Sequence, residues 1–361
     1  MSKSALLKTV LLVGCCTGCQ PIARAPAAPI TAEPTAAAVP TATDRPRPTA
    51  GPETASPATA APRPITVDSV EAVELVATLV GHSDRVYGLD FSADGRLLAS
   101  GSWDDTIRIW DVASGEELRA VEAEGDWDVF FAPDDEHVAS TEGLICDIAS
   151  GDQVQSLEVI GGHATFSPDG CWMASAGFNA PILVWNVGTG ETVQTLEGHT
   201  DRVFGMAFSP DGRLLATGSG MGPSDVSDFT VKIWDLETGQ KLRSLKGHGG
   251  DVHAVTFSPD GALVASASID YTVKVWDVKR GELVHTLWHQ DGLWDVDFSP
   301  DGALLASGGV ARKVRLWDVA TGEELPVLRH DDELLAVAFS PSGALLATAG
   351  YDSRVYVWGV P

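Results

Sequence analysis

The chain is poor in cysteine, in basic residues and in long apolar runs, and each shortage narrows what it can be. Of its 361 residues only 5 are cysteine. Cys15, Cys16 and Cys19 crowd near the N-terminus, which leaves Cys146 and Cys171 for everything else. Their spacing matches no metal motif, and a disulfide-stapled scaffold would need more pairs. Lys and Arg total 24 against 50 Asp and Glu, a formal charge of −26. Nucleic-acid affinity rests on neutralising phosphates, so the charge argues against such a partner. The first apolar run, within Met1–Gly14, is far shorter than the ~20 residues a spanning helix needs. A Walker A loop, a nucleophile elbow and a zinc-protease helix are all missing. The acidic run Pro133–Glu136 lacks the glycine and terminal glutamate of an EF-hand loop, so neither metal nor cofactor is expected. Convincing helical periodicity is missing too, and a parallel sheet would need helical crossovers.

What the chain does have is repetition. Phe-Ser-Pro-Asp-Gly begins at Phe166, Phe208, Phe257 and Phe298, with variants at Phe91, Phe131 and Phe339. A second signature trails it: IRIWD ending at Asp111, VKIWD at Asp235, VKVWD at Asp277 and VRLWD at Asp318. It weakens to LVWN at Asn186, ICD at Asp147 and VWG at Gly359. Successive phenylalanines lie 40, 35, 42, 49, 41 and 41 residues apart, the period of a four-stranded propeller blade. Within one repeat, Val86–Phe91, Leu97–Ala99, Thr106–Trp110 and Glu117–Val121 read as strands, separated by Asp/Gly turn chemistry.

On these motifs residues 67–361 resemble the WD40-repeat family, and seven copies imply an all-β, seven-bladed propeller. The last copy ends one strand short at Trp358–Pro361. Val73–Leu79 resembles the fourth strand Glu282–Leu287, so it is expected to complete the last blade and remove open edges. The resemblance also implies a structural hydrogen-bond set in each full blade, running from His through Ser or Thr to Asp and Trp. The first blade offers His82, Ser100, Asp104 and Trp110, and the fourth His199, Thr217, Asp228 and Trp234. The fifth offers His248, Ser266, Asp270 and Trp276, and the seventh His330, Thr348, Asp352 and Trp358. The sixth has His289, Ser307 and Trp317 but Ala311 for Asp. The second and third lack the His, and Cys146 replaces the second blade's Trp, so these two are expected to be the least stable. A His–Ser–Asp set that recurs blade after blade reads as structure, because a catalytic triad need occur only once.

The N-terminal segment is different material. Residues 1–14 resemble a secretory signal, and Leu12-Val13-Gly14-Cys15 matches the bacterial lipobox, in which Cys15 is lipidated. Residues 15–66 then read as a disordered tether: 20–66 hold eleven prolines, many Ala and Thr, and no aromatic residue. The expected location is the extracytoplasmic face of the cell envelope, with the lipid as the sole membrane contact. Residues 67–361 carry 18 Lys and Arg against 47 Asp and Glu, a net −29. That surplus suits a soluble, monomeric propeller or a basic partner.

In the family, residues at the start of each blade and just before the turn Asp share one rim. Eight of the thirteen such positions hold Tyr87, Trp127, Phe204, His253, Trp294, Trp103, Phe178 and Tyr351, the others being Gly162, Leu335, Ser227, Ile269 and Val310, with Arg85 and Arg202 beside them and the insertion Gly220–Ser227 nearby. Aromatic residues at such density are expected to bind a protein or peptide, since Trp and Tyr dominate interface energetics. Two other readings stay open, an envelope enzyme using the central channel and a cytosolic regulatory propeller. An acidic cluster in the channel next to His253 would favour the enzyme.

Overall fold

The computed structural model describes residues 63–361 apart from 124–127, 142, 157–162, 178–180 and 222–226. The signal segment 1–14, the lipidation residue Cys15, most of the tether, Trp127, Phe178 and most of the insertion lie outside the described residues.

The described strands form seven four-stranded antiparallel sheets. Blade 1 consists of Val86–Phe91, Leu97–Ser102, Thr106–Asp111 and Glu117–Glu122. Blades 2 to 6 repeat this order, starting at Val129, His163, Arg202, Val252 and Leu293. The first strands of neighbouring blades pack side by side around the axis from blade 3 through blade 7 and on to blades 1 and 2. Helix is confined to one 3₁₀ turn at Val70–Ala72 among the described residues.

Burial follows position in the blade. Second strands are enclosed on both faces; all six residues of Leu97–Ser102 are buried, which is why they read as short apolar runs without alternation. Outer strands are largely exposed, as in Gln240–Lys246, where Leu245 alone is buried. The core lies between blades. Ile107, Ile109 and Val121 of blade 1 pack with Val129, Phe131 and Val138 of blade 2. Each such side chain contributes about 1.5–3 kcal/mol by leaving water. The cluster joining blades 2 and 3 is the thinnest among the described residues, with Ala139, Ile145, Ala164, Met173 and Val187. Cys146, in the structural Trp's place, is buried at 1% exposed.

Blade 7 is assembled from both ends of the described chain. Leu334–Phe339, Leu345–Gly350 and Arg354–Gly359 supply three strands, and Glu74–Val80 pairs antiparallel with the last of these, Leu79 opposite Val355. This pairing gives blade 7 its fourth strand and closes the ring, as Val73–Leu79 predicts. Packing starts slightly upstream of residue 67. Ile65 is 1% exposed, its N–H donates to the Gly343 carbonyl at 2.8 Å, and Arg63 bridges to Val360. Composition hides this, because Ile65 is an isolated apolar residue in a Pro-rich stretch.

Turn chemistry explains one departure from the repeat. The glycine of Phe-Ser-Pro-Asp-Gly takes positive φ, as Gly212 does at 68°. Blade 2 places Asp135 there at φ 55°, a region Asp tolerates better than most residues. The Asp135 carboxylate also accepts the N–H groups of Ala93 (2.6 Å) and Asp94 (3.1 Å), clipping blade 2 to blade 1.

Candidate binding face and central channel

Burial decides what the recurring polar sets do. In blade 1, Trp110 Nε1 donates to Ser100 Oγ at 2.8 Å. Ser100 Oγ lies 2.7 Å from His82 Nε2, and His82 Nδ1 lies 3.0 Å from Asp104 Oδ2. With the indole donating, the serine proton goes to Nε2 and the Nδ1 proton to the carboxylate, so the imidazole is neutral. Its pKa is lowered accordingly, chiefly by burial. Blade 4 repeats this through Trp234, Thr217, His199 and Asp228 at 2.9, 2.7 and 2.7 Å. Blade 5 does so through Trp276, Ser266, His248 and Asp270 at 2.9, 2.8 and 2.8 Å. Ser100, Thr217 and Ser266 are all 0% exposed, so no substrate reaches a would-be nucleophile and the sets act as fasteners.

Blade 7 has the same four residues but does not close the chain. Trp358 Nε1 donates to Thr348 Oγ1 at 2.8 Å, yet His330 Nε2 has no partner among the described residues. The Tyr356 hydroxyl takes the imidazole's place, donating to Asp352 at 2.7 Å. In blade 6, where Ala311 replaces Asp, His289 still meets Ser307 at 3.0 Å. Blade 3, which lacks the His, keeps the Trp185-to-Ser175 bond at 2.8 Å.

The rim residues form two groups. In the first, Tyr87 and Trp103 stack with centroids 5.3 Å apart at 23°. Arg85 Cζ lies 4.7 Å from the Trp103 ring and 4.2 Å from the Tyr351 ring, joining blades 1 and 7 by cation–π contact. Trp103 is 38% exposed and Tyr87, Arg85 and Tyr351 are half-buried. The second group runs along the channel mouth. Arg202 stands 4.9 Å over Phe204, Phe204 meets His253 at 4.6 Å, and His253 meets the Trp294 ring edge-on at 4.5 Å. Trp294 Nε1 has no hydrogen-bond partner among the described residues, and His163 approaches Phe204 at 5.8 Å. Burial, with Arg202 adding, pushes His163 down to about 3; burial takes His253 to about 4. Both imidazoles are neutral at pH 7.

Below this collar the channel opens into a cavity of about 620 Å³ lined by Phe204, His253 and Trp294 together with Asp90, Asp128, Asp295 and Asp297. The four carboxylates are half-buried: the channel reaches them, but protein surrounds them. Three accept backbone N–H groups from the next blade, Asp90 from Phe131 at 2.7 Å, Asp295 from Val337 at 2.8 Å and Asp297 from Phe339 at 2.9 Å. These bonds staple inner strands that share no ladder. Asp128 accepts from its own neighbour Val129 at 3.1 Å. It fits because residue 88 is glycine: a Cβ there would lie 2.3 Å from Asp128 Oδ1. Burial raises Asp90 and Asp128 to about 7 and Asp297 to about 6, and puts Asp295 well above the usual carboxylate range. Mutual repulsion adds to the rise at Asp90 and Asp295.

These carboxylates are absent from the residues singled out by sequence. Their signal is present, since Asp90 and Asp297 directly precede the repeat Phe and Asp128 and Asp295 stand three before it. Strand alternation puts both positions on one face, but convergence from three blades is visible only in the fold. A face built of aromatic rings above carboxylates suits a cation.

Comparison with known proteins agrees with this architecture. The family described as "WD domain, G-beta repeat" matches residues 73–111, 190–235, 239–277, 281–318 and 322–359, together more than half of the chain. The WD repeat-containing protein SL1-17 of Schistosoma mansoni is 30% identical over 148 residues, 38% of this chain and 49% of that protein. The Periodic tryptophan protein 2 homolog of Schizosaccharomyces pombe is 30% identical over 140 residues, 39% of this chain and 12% of the relative. Pre-mRNA-processing factor 19 of Oryza sativa subsp. japonica is 28% identical over 158 residues, 40% and 30% of the two chains. The chain spans about half or less of each of these relatives.

Proposed function

The chain belongs to the WD-repeat family, and we propose that it works as a non-enzymatic scaffold held outside the cytoplasm by a lipid on Cys15. Its partner is a protein or peptide bearing basic side chains, seated on the rim of Arg85, Tyr87, Trp103, Phe204, His253, Trp294 and Tyr351. The observation that carries this reading is the aromatic collar above four channel carboxylates. A lysine or arginine entering the mouth would meet ring faces first and carboxylates next. The charge of −26 favours such a partner and disfavours nucleic acid.

The test is the double change Trp103→Ala with Trp294→Ala. Each truncated hot-spot aromatic costs about 2 kcal/mol or more of binding, so the pair weakens affinity roughly a thousandfold if the losses add. Partner capture is expected to vanish while the thermal melt stays near that of the wild type. A collapsed melt would make these rings packing residues and send the search to the opposite rim. For the anchor, Cys15→Ala is expected to release the protein from the membrane fraction; unchanged fractionation without lipid labelling refutes the anchor.

A second reading, a channel enzyme acting on a small cationic substrate, draws on the acidic cluster beside His253. Asp295 follows Trp294, whose ring touches His253, and the raised carboxylates lie in the range of general acid–base work. Asp128→Asn separates the two: under the scaffold reading it weakens partner capture and the wild type turns over no small cation, whereas under the enzymatic one the wild type shows turnover and the variant loses it.

A further inference from the structure

The repeats act as controls for one another, and blade 4 departs from the others in charge. Two residues before the structural Trp, blades 1, 4, 5 and 6 carry a cation: Arg108, Lys232, Lys274 and Arg315. In blades 1 and 6 a glutamate on the outer strand answers it, Arg108 pairing with Glu117 and Arg315 with Glu324. Both glutamates stand opposite the blade's Trp, Glu117 across from Trp110 and Glu324 across from Trp317. The residue opposite Trp234 in blade 4 is Lys241. The far end of the outer strand is reversed as well: Thr106 faces Glu122 in blade 1, while Thr230 faces Lys246 in blade 4.

Blade 4's own cation is already occupied. Lys232 is 4% exposed and pairs with Asp228, with Thr230 Oγ1 at 2.8 Å. Lys241 and Lys246 make no ion pair among the described residues. Lys241 is nevertheless placed, because the site where Gly198 would carry a Cβ lies 3.6 Å from Lys241 Nζ and 3.3 Å from the Trp234 ring. Around these groups is a groove of about 500 Å³ lined by Lys232, Lys241, Lys246, Asp228, Ser244 and Thr200, three ammonium groups against one carboxylate. Thr200 and Ser244 can add hydroxyl donors. Such a local surplus of positive charge is conspicuous in a region whose net charge is −29.

We propose that this groove on the outer side of blade 4 is a carboxylate site, taking an acidic peptide side chain where Glu117 and Glu324 sit within their own blades. Its lining shares no residue with the channel cavity or with the aromatic residues of the rim, and the proposal does not depend on the function proposed for them. Fluorescein-labelled tetraglutamate titrated into the full-length chain tests it, with tetralysine as control. Saturable binding to the wild type is expected, weakening as salt rises from about 50 to about 300 mM. K241E restores the charge pattern of blades 1 and 6, and should weaken binding about tenfold or more while melting no lower than wild type. K241R should retain binding. If K241E fails to fold, the pair K241Q with K246Q carries the same expected loss. Absence of saturable binding, or K241E binding within about twofold of wild type, overturns the proposal. Displacement by inorganic phosphate as effective as by unlabelled tetraglutamate would assign the groove to phosphate and overturn the carboxylate assignment.

Discussion

Blades 5 and 7 both hold His, a hydroxyl residue, Asp and Trp at the same places, yet one closes its polar chain and the other does not. In blade 5, His248 bridges Ser266 and Asp270, both at 2.8 Å. In blade 7, His330 turns Nδ1 toward the Asp332 carbonyl at 3.2 Å and packs edge-on against Tyr356 at 4.3 Å. The difference lies in a fifth residue. Blade 5 has Lys274 two before its Trp, and blade 7 has Tyr356. A lysine stem leaves the Asp to the imidazole, whereas a phenol reaches the Asp itself. The four-residue signature is therefore necessary for the fastener but insufficient for it, because the third-strand neighbour chooses which donor the Asp receives.

Blade 7 also differs in being sewn from two distant segments, and removing one of them is the harshest test of the comparison. Deleting Val67–Val80 strips its outer strand and leaves the Arg354–Gly359 backbone groups unpaired. Loss of cooperative unfolding is expected, whereas deleting Gln20–Ser56 should leave the melting temperature nearly unchanged. Equal melts for the two deletions would refute the closure.

Next in size is the fastener itself. Asp270→Ala removes a partner from a buried chain and should cost about 2–3 kcal/mol. Asp352→Ala should cost about 1 kcal/mol, since Tyr356 keeps Asp331 at 3.4 Å and His330 made no use of Asp352. Urea midpoints measure both, and matching losses would dissolve the distinction between the blades.

The smallest effect concerns how the two inner strands are held. Asp295 and Asp297 of blade 6 staple blade 7, while blade 4 offers blade 5 only Gly205 and Ala207 at the matching sites. Asp297 is raised from 3.8 to about 6 by burial. Its contribution to stability is thus full below about pH 4 and fades as pH rises through about 6. Water in the channel screens the effect to the order of 1 kcal/mol. Stability of wild type relative to Asp297→Asn should therefore fall between pH 4 and pH 7.5, which paired urea melts would detect; a pH-independent difference counts against the raised carboxylate.

Legibility in the sequence followed the range of the interaction. Strands, turns and blade number could be read because each rests on residues within one 41-residue period, and closure because Glu74–Leu79 so nearly matches Glu282–Leu287. The fasteners of blades 1, 4 and 5 are what the resemblance to the repeat family implies, carried over residue by residue. The failure in blade 7 required knowing that Tyr356 faces the same Asp as His330. The channel carboxylates escaped notice because Asp90, Asp128 and Asp297 come from separate blades and meet only around the axis. The charge reversal at Lys241 was hidden by the bulge between Ile233 and Trp234, which shifts the outer-strand register and sets Lys241 opposite the Trp.

The strand that seals blade 7 also fixes the order of events in folding. Glu74 finds Gly359 only after every intervening blade has been synthesised. Local hairpins within blades 1 to 6 can form early, but the ring-closing pairing, with the adjoining Arg63–Val360 bridge, carries the longest sequence separation among the described residues and the largest loop entropy. Until then Glu74–Val80 waits as an unsatisfied strand, and the Arg354 edge is a template for any other extended chain. Speed of refolding should depend on this last contact rather than on the stability of any single blade. Crowded, half-made rings would go wrong by exchanging that strand between molecules.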